Sequence, residues 1–407
     1  MGGGAPTFRL EPPRLRTTED PGEQRHTTWF ELYFDLVFVA AVTELATGLA
    51  KHPSGVVFAR FAGLFVVVAW AWTGFTMYAN RFDTDDVIYR VAKSAAALAV
   101  AALAVQIPGV IAGHRGTVGF AAAYVVVRSV LIAMYVRARR HVRGEGRALI
   151  DLYTATFVLT TSLWLVSIFV PGPYRYVLWG LAIAIDLAAP PRAWQMLRTA
   201  PVVVSHVTDR FGTFFIIVLG ESVVAVVAGV AGFGFSFESW FVACSCFVIA
   251  LCLWWIYFDL ADTSVLGRGV LGLVYLYAHF PLFAGVAAFG AGTKLAITQA
   301  AHAGLVVGTR WALAGGIAGF ALALALLHLG ADWTSPRDRT FLGRLALAAL
   351  LIVLAAIGDG ISPLAFVLVV AIAVLGQLLL EALTFPTGAA SIWEPPELAE
   401  ESYGRAT

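Results

Sequence analysis

Residues 207–231 read VTDRFGTFFIIVLGESVVAVVAGVA, and between Phe211 and Ala231 the only charged side chain is Glu221. A segment this uniformly apolar has no polar face to turn toward water, so it suits neither an amphipathic helix on a soluble core nor a half-buried strand. At 1.5 Å per residue it is long enough to cross a hydrocarbon layer about 30 Å thick. The same reading extends outward over most of the 407 residues. The chain is 59% hydrophobic and 13% charged, with a mean hydropathy of +0.81. That balance belongs to integral membrane proteins.

Apolar windows predict helices near 32–50, 55–79, 87–112, 117–137, 149–170, 174–190, 207–231, 237–260, 269–292, 302–329, 340–358 and 362–384. Helices satisfy their own backbone in lipid, and no ten-residue alternating segments suggest a barrel. The expected fold is an all-α polytopic bundle of about twelve transmembrane helices. It divides into a polar N-terminal tail (1–30), a transmembrane domain (31–385) and a C-terminal tail (386–407). The first thirty residues carry Arg9, Arg14, Arg16 and Arg25 with no apolar core and cleavage site, so the first span is expected to act as the insertion signal.

The connections alternate in charge. With the N-terminus inside, the inner side collects twenty Lys and Arg residues, including Arg81, Lys93, Arg137, Arg210 and Arg344. The outer side collects five, Lys51, Arg60, Arg115, Arg175 and Lys294. This bias predicts cytoplasmic termini in a plasma membrane. A net charge of +1 offers no footprint for nucleic acid. Cys244, Cys246 and Cys252 share one apolar span with no histidine beside them and read as small hydrophobes.

A faint parallel repeat of six plus six spans is also legible, with halves at about 31–192 and 206–385. Glu44 matches Glu221, Tyr78 matches Tyr257, Asp83-Thr84 matches Asp262-Thr263, and Arg128 matches Arg310, at offsets of about 177–182 residues.

A charge at the bilayer centre costs about 2.5–3.5 kcal/mol, so each should face a partner or a cavity. Glu44, Glu221, Arg128 and Arg310 are predicted near mid-span. Two readings fit: buried ion pairs that fix helix register, or a central ion or substrate site in which a protonated glutamate releases an arginine. Asp35, with Glu31 one turn before it, is expected near the inner surface, and His279 beside Pro281 suggests a locally opened backbone. These six residues, Glu44, Glu221, Arg128, Arg310, Asp35 and His279, form the candidate substrate or ion site. Asp151, Asp186, Asp259 and Asp359 are expected at the interfaces, and Trp70, Trp72, Trp254 and Trp255 in an aromatic belt. Asp83, Asp86, Asp259 and Asp262 could alternatively hold Mg²⁺ for a diphosphate substrate, or serve as helix caps neutralised by Arg81 and Arg90.

Five blocks resemble the bacterial low-temperature-requirement A (LtrA) family. They are Trp29-Phe30-Glu31-Leu32-Tyr33-Phe34-Asp35-Leu36-Val37-Phe38-Val39, Tyr78-Ala79-Asn80-Arg81-Phe82-Asp83-Thr84-Asp85-Asp86, His206-Val207-Thr208-Asp209-Arg210-Phe211-Gly212 with Leu219-Gly220-Glu221-Ser222, Trp254-Trp255-Ile256-Tyr257-Phe258-Asp259, and Tyr277-Ala278-His279-Phe280-Pro281-Leu282. The resemblance implies a bacterial membrane protein named for a cold-growth phenotype, and brings no established reaction or substrate.

Twelve spans, a repeat and balanced mid-membrane charges favour a secondary transporter or permease. No phosphate-cradling loop accompanies them, so an ion gradient is the expected energy source. An intramembrane enzyme acting on a lipid or isoprenoid, and a non-catalytic component of envelope stress, are the alternatives. Only the enzyme reading requires a cofactor, Mg²⁺. The expected partners are the bilayer and a small molecule or ion.

Overall fold

A computed structural model describes residues 10–16, 27–113, 115–193, 196, 203–233, 236–260, 270–329 and 338–384. In chain order its helices are α1 (Trp29–Lys51), α2 (Gly55–Arg81), α3 (Val87–Ala112), α4 (Thr117–His141), α5 (Glu145–Phe169), α6 (Gly172–Leu187), α7 (Ala189–Ala193), α8 (Val204–Phe233), α9 (Phe237–Leu260), α10 (Val270–Thr298), α11 (Val307–Arg310), α12 (Gly316–His328), α13 (Arg339–Ile357) and α14 (Pro363–Thr384). A π turn, Trp311–Gly315, joins α11 to α12 into one span. Among the described residues the only strand pairing is two residues long, Arg14–Leu15 (β1) against Phe82–Asp83 (β2), antiparallel. The protein is a polytopic all-α membrane protein.

Among the described residues eleven helical segments are long and apolar enough to cross a membrane. The predicted span 174–190 is the exception, because α6 stops at Leu187 after sixteen residues. Pro190 and Pro191 explain the stop: having no N–H, they cannot donate to the carbonyls of Asp186 and Leu187 four residues earlier, so the helix ladder is not continued. The chain restarts as the five-residue α7, where a proline near the N-terminus is tolerated.

The chain divides into two compact units, residues 1–48 with 60–214, and residues 49–59 with 215–407. In the first, α3 packs on α4, α4 on α5 and α5 on α6. Helices α1, α2 and α8 meet through long side chains: Phe34 touches Phe75, and Trp72 sits between Phe211 and Phe214 at ring distances of 4.9 and 4.4 Å. In the second unit α10 packs tightly on α12, and α9 on α14. Glycine permits the first of these contacts. A Cβ at Gly316 would stand 2.5 Å from the Gly285 carbonyl oxygen, and one at Gly292 would stand 2.5 Å from the Leu313 nitrogen. Small residues at such crossings let backbones close and gain dispersion contact that lipid cannot replace.

Candidate functional site

The first unit encloses a charged core near the helix ends where α2 turns into α3. Thr28 and Glu31 form a capping box at the start of α1: the Thr28 N–H donates to Glu31 Oε2 (3.0 Å) and the Glu31 N–H donates to Thr28 Oγ1 (3.3 Å). The cap points the Glu31 carboxylate toward α8, where His206 Nε2 lies 3.4 Å away. Asn80, closing α2, fixes that histidine from the other side. Its amide donates to the Val203 carbonyl (2.9 Å), accepts from the Val203 N–H (3.2 Å) and lies 3.3 Å from His206 Nδ1.

One turn beyond Glu31, Asp35 Oδ1 accepts from Arg210 Nη2 at 2.5 Å and from Trp72 Nε1 at 2.7 Å. Both members of this ion pair are fully buried. Lys93 lies within electrostatic reach of Glu31 and Asp35. Its ammonium sits 4.6 Å from the Phe34 ring centroid and 5.3 Å from that of Tyr89, a cation–π setting that compensates lost hydration. Asp35, Lys93 and Arg210 each stand six residues from a helix end, about 9 Å along the axis, so three helices deliver them to one depth. Asp35 Oδ2 and Arg210 Nε and Nη1 are buried without a hydrogen-bond partner among the described residues.

A second buried pair lies deeper. Arg128 on α4 directs Nη2 at both oxygens of Asp186 (2.8 and 2.9 Å) on α6, and Thr160 on α5 donates to Asp186 at 3.1 Å. Trp70 lies beside the carboxylate, and the guanidinium carbon is 4.3 Å from the Phe157 ring centroid. Asp186 is therefore not interfacial as the sequence suggested. On the last turn of α6 Ala184 is exposed and Ile185 and Leu187 are partly exposed, but Asp186 is fully buried because its side chain turns to Arg128 on α4 and Thr160 on α5. Trp70 and Trp72 likewise leave the predicted aromatic belt for this polar interior, whereas Trp254 and Trp255 are exposed as a belt requires.

In the second unit, Arg310 is not mid-span. Helix α11 begins at Val307, so Arg310 occupies its first turn and donates to the exposed Asp359 at 3.2 Å. His279 is not beside an opened backbone either, since α10 runs continuously through Pro281. The ring contacts the Tyr275 carbonyl through Nδ1 (2.6 Å) and the Tyr257 hydroxyl through Nε2 (3.0 Å). A carbonyl can only accept, which places the proton on Nδ1 and makes Tyr257 the donor to Nε2. Arg344, counted in the sequence as a loop charge, is buried against Glu381 (2.9 and 2.6 Å), with Gln377 also donating to that carboxylate (2.7 Å).

Among the described residues Arg128 and Arg310 pair with aspartates rather than with the expected glutamates. Asp186 takes Arg128 and Asp359 takes Arg310, because the short α6 and the α13–α14 turn bring carboxylates to positions that linear depth counting does not anticipate. Glu44 is half-buried along α1 and makes no hydrogen bond or ion pair among the described residues. Glu221 is half-buried on α8.

Of the four metal candidates, Asp86 is committed elsewhere. It caps α3 through the Tyr89 N–H (3.0 Å) and receives both Arg137 nitrogens, at 3.0 and 2.6 Å. The Arg137 and backbone hydrogen bonds outweigh the opposing effect of burial and hold its carboxyl below the usual aspartate range. The side chains of Asp83 and Asp259, and Asp262 entirely, lie outside the described residues. Among those described, no group of three or more His, Cys, Asp or Glu residues could hold a metal.

Sequence reading missed Lys93, Arg210, His206, Asn80 and Asp186 as interior groups. The usable signal was present, since Glu31, Asp35, Asn80, His206 and Arg210 all lie in the blocks that carry the family resemblance. The family model described as Bacterial low temperature requirement A protein (LtrA) matches residues 26–384. An uncharacterized protein of Rhizobium meliloti (strain 1021) is 23% identical over 281 residues, 65% of this chain and 68% of that protein.

Proposed function

The chain belongs to the bacterial low temperature requirement A (LtrA) family, and on that premise we propose that it is a secondary transporter with cytoplasmic termini, driven by a proton gradient. The supporting observation is the pair of ion pairs enclosed in the first unit, Asp35–Arg210 and Arg128–Asp186, each with guanidinium donors left over. Charge within a membrane span is costly, so a structural pair is expected to be hydrogen-bonded to completion. Arg344–Glu381 in the second unit is such a pair, with Gln377 and the Leu324 carbonyl also engaged. The two pairs of the first unit are incomplete by comparison, which fits groups that exchange partners during a transport cycle.

Coupling is assigned to Glu44 and Glu221, the titratable carboxylates lying farther along α1 and α8. Neither Glu44 nor Glu221 is a partner of the two incomplete pairs. A carboxylate that gains and loses a proton between two conformations links flux to pH.

The test is flux in proteoliposomes of the purified protein, loaded with a pH-reporting dye and presented with pooled bacterial metabolites across an imposed pH gradient. Wild-type vesicles should take up substrate with protons. Glu44→Gln or Glu221→Gln, which keeps shape while removing titration, should abolish gradient-driven accumulation and leave exchange without a gradient intact. Full gradient-driven flux in both variants would remove these glutamates from the coupling role, and absence of any flux with wild-type protein would overturn the transport reading.

A further inference from the structure

The guanidinium of Arg128 carries five N–H donors, and Nη2 supplies only two of them to Asp186 and Thr160. Nε and Nη1, which carry the remaining three, are buried with no hydrogen-bond partner among the described residues. The same is true of two neighbouring side chains. Tyr124 precedes Arg128 by one turn of α4 and lies within electrostatic reach of both Arg128 and Asp186. Its hydroxyl is unpartnered, as is Nε1 of Trp164, whose ring centroid is 4.3 Å from that of Tyr124. Arg128, Tyr124 and Trp164 are each at most 1% exposed.

A buried polar group left unbonded costs about 1–3 kcal/mol, so several donors of one kind at one place call for an acceptor. Among the described residues no acceptor, Asp186 and the Tyr124 hydroxyl included, takes a hydrogen bond from Arg128 Nε and Nη1 or from Trp164 Nε1. Aromatic rings form part of its boundary, Phe157 under the guanidinium and Phe120 and Trp179 beside Trp164, and a Cβ built on Gly74 of α2 would stand 3.9 Å from Arg128 Nη1. Three kinds of donor set in a partly aromatic wall match a group that only accepts hydrogen bonds and carries an apolar body.

We propose that Arg128, Tyr124 and Trp164 form a binding site for a small organic carboxylate, with Arg128 and the Tyr124 hydroxyl holding the carboxylate and the surrounding rings holding its apolar body. The site deepens the transport reading by naming a substrate class, but binding at it is measurable whether or not flux occurs. The charged and titratable groups that face it are Arg128, Tyr124 and Tyr135 from α4 and Asp186 from α6, while α5 contributes the neutral Thr160 and α2 the neutral Trp70. Arg128 and Asp186 cancel, so an entering carboxylate adds one uncompensated negative charge. In a low-dielectric interior that charge is best matched by one proton, and Asp186 is the carboxylate placed to take it, freeing Nη2 for the ligand. Entry requires α6 to move aside, and α6 presents Tyr176, Val177, Gly180 and Leu181 outward rather than to the unit's core.

Titration calorimetry of the purified protein in lipid nanodiscs tests the site, using sodium benzoate as probe and benzamide as its uncharged isostere. Wild-type protein should bind benzoate saturably, bind benzamide at least 10-fold more weakly, and take up about one proton per benzoate, read from the heats in buffers of different ionisation enthalpy. Tyr124→Phe and Trp164→Phe each remove one donor without touching Arg128 or Asp186, and each should weaken benzoate about 10-fold or more. The benzoate–benzamide comparison on wild-type protein keeps the test valid if either variant fails to fold. Absence of saturable benzoate binding would mean that water alone occupies these donors, and would overturn the site. Equal affinity in both variants, or binding without proton uptake, would overturn the assignment of the donors and of Asp186. Benzoate binding without flux would leave the site standing and remove only the transport reading.

Discussion

Removing Asp35 while keeping Arg210 should be among the most damaging single changes in this protein. The two side chains are fully buried and 2.5 Å apart, and Asp35 is also the acceptor for Trp72 Nε1. Asp35→Ala therefore leaves a buried guanidinium without its hydrogen-bonded counter-charge, Glu31 being only within electrostatic reach, a state that costs about 3–5 kcal/mol. Arg210→Met leaves the complementary buried carboxylate and should cost about the same. If the residues were independent, the double variant would lose about 6–10 kcal/mol. Because both charges disappear together, the double variant should instead lose about 1–3 kcal/mol, the cost of the orphaned Trp72 N–H. The expected coupling is thus at least about 3 kcal/mol, far above the roughly 0.5 kcal/mol scatter of independent sites. Reversible unfolding of the four proteins in mixed detergent micelles, titrated with sodium dodecyl sulfate, measures it. Losses that add to within about 0.5 kcal/mol would refute the ion-pair argument.

Three further outcomes follow from other parts of the molecule. In a background without native cysteines, Arg143→Cys in the α4–α5 connection should resist a membrane-impermeant thiol reagent on intact cells, while Arg115→Cys should react; comparable labelling would reverse the proposed orientation. Asp86 is held below its unfolded value, so its contribution is present above about pH 4 and is lost as pH falls through the lower folded value. Asp86→Asn should flatten that acid-side loss in a pH series of melting curves, and an unchanged acid limb would rule Asp86 out as its source. Gly285→Ala forces a methyl against the Gly316 carbonyl and should cost about 1–3 kcal/mol, whereas Gly63→Ala, with nothing within 4 Å, should be nearly neutral; equal melting temperatures would show that α10 and α12 can separate without loss.

By itself, the sequence determined the membrane class, the helical architecture and nearly every span, because in lipid each segment must satisfy its own backbone and be apolar along its whole length. Those are local properties, legible in a stretch such as 207–231. The exception, α6, was also written locally in Pro190 and Pro191, but an apolar window does not register a missing N–H. What tertiary structure alone decided was which charges are interior and which oppose one another. Lys93, Arg210 and Arg344 stand within two turns of helix ends and read as loop charges, yet neighbouring helices enclose them. Asp35 and Arg210 are 175 residues apart, and Arg128 and Asp186 are 58 apart. Hydropathy carries no information about such pairings, because a buried charge is stabilised by its partner's position in space, and that position is set by helix packing rather than by the composition of either helix.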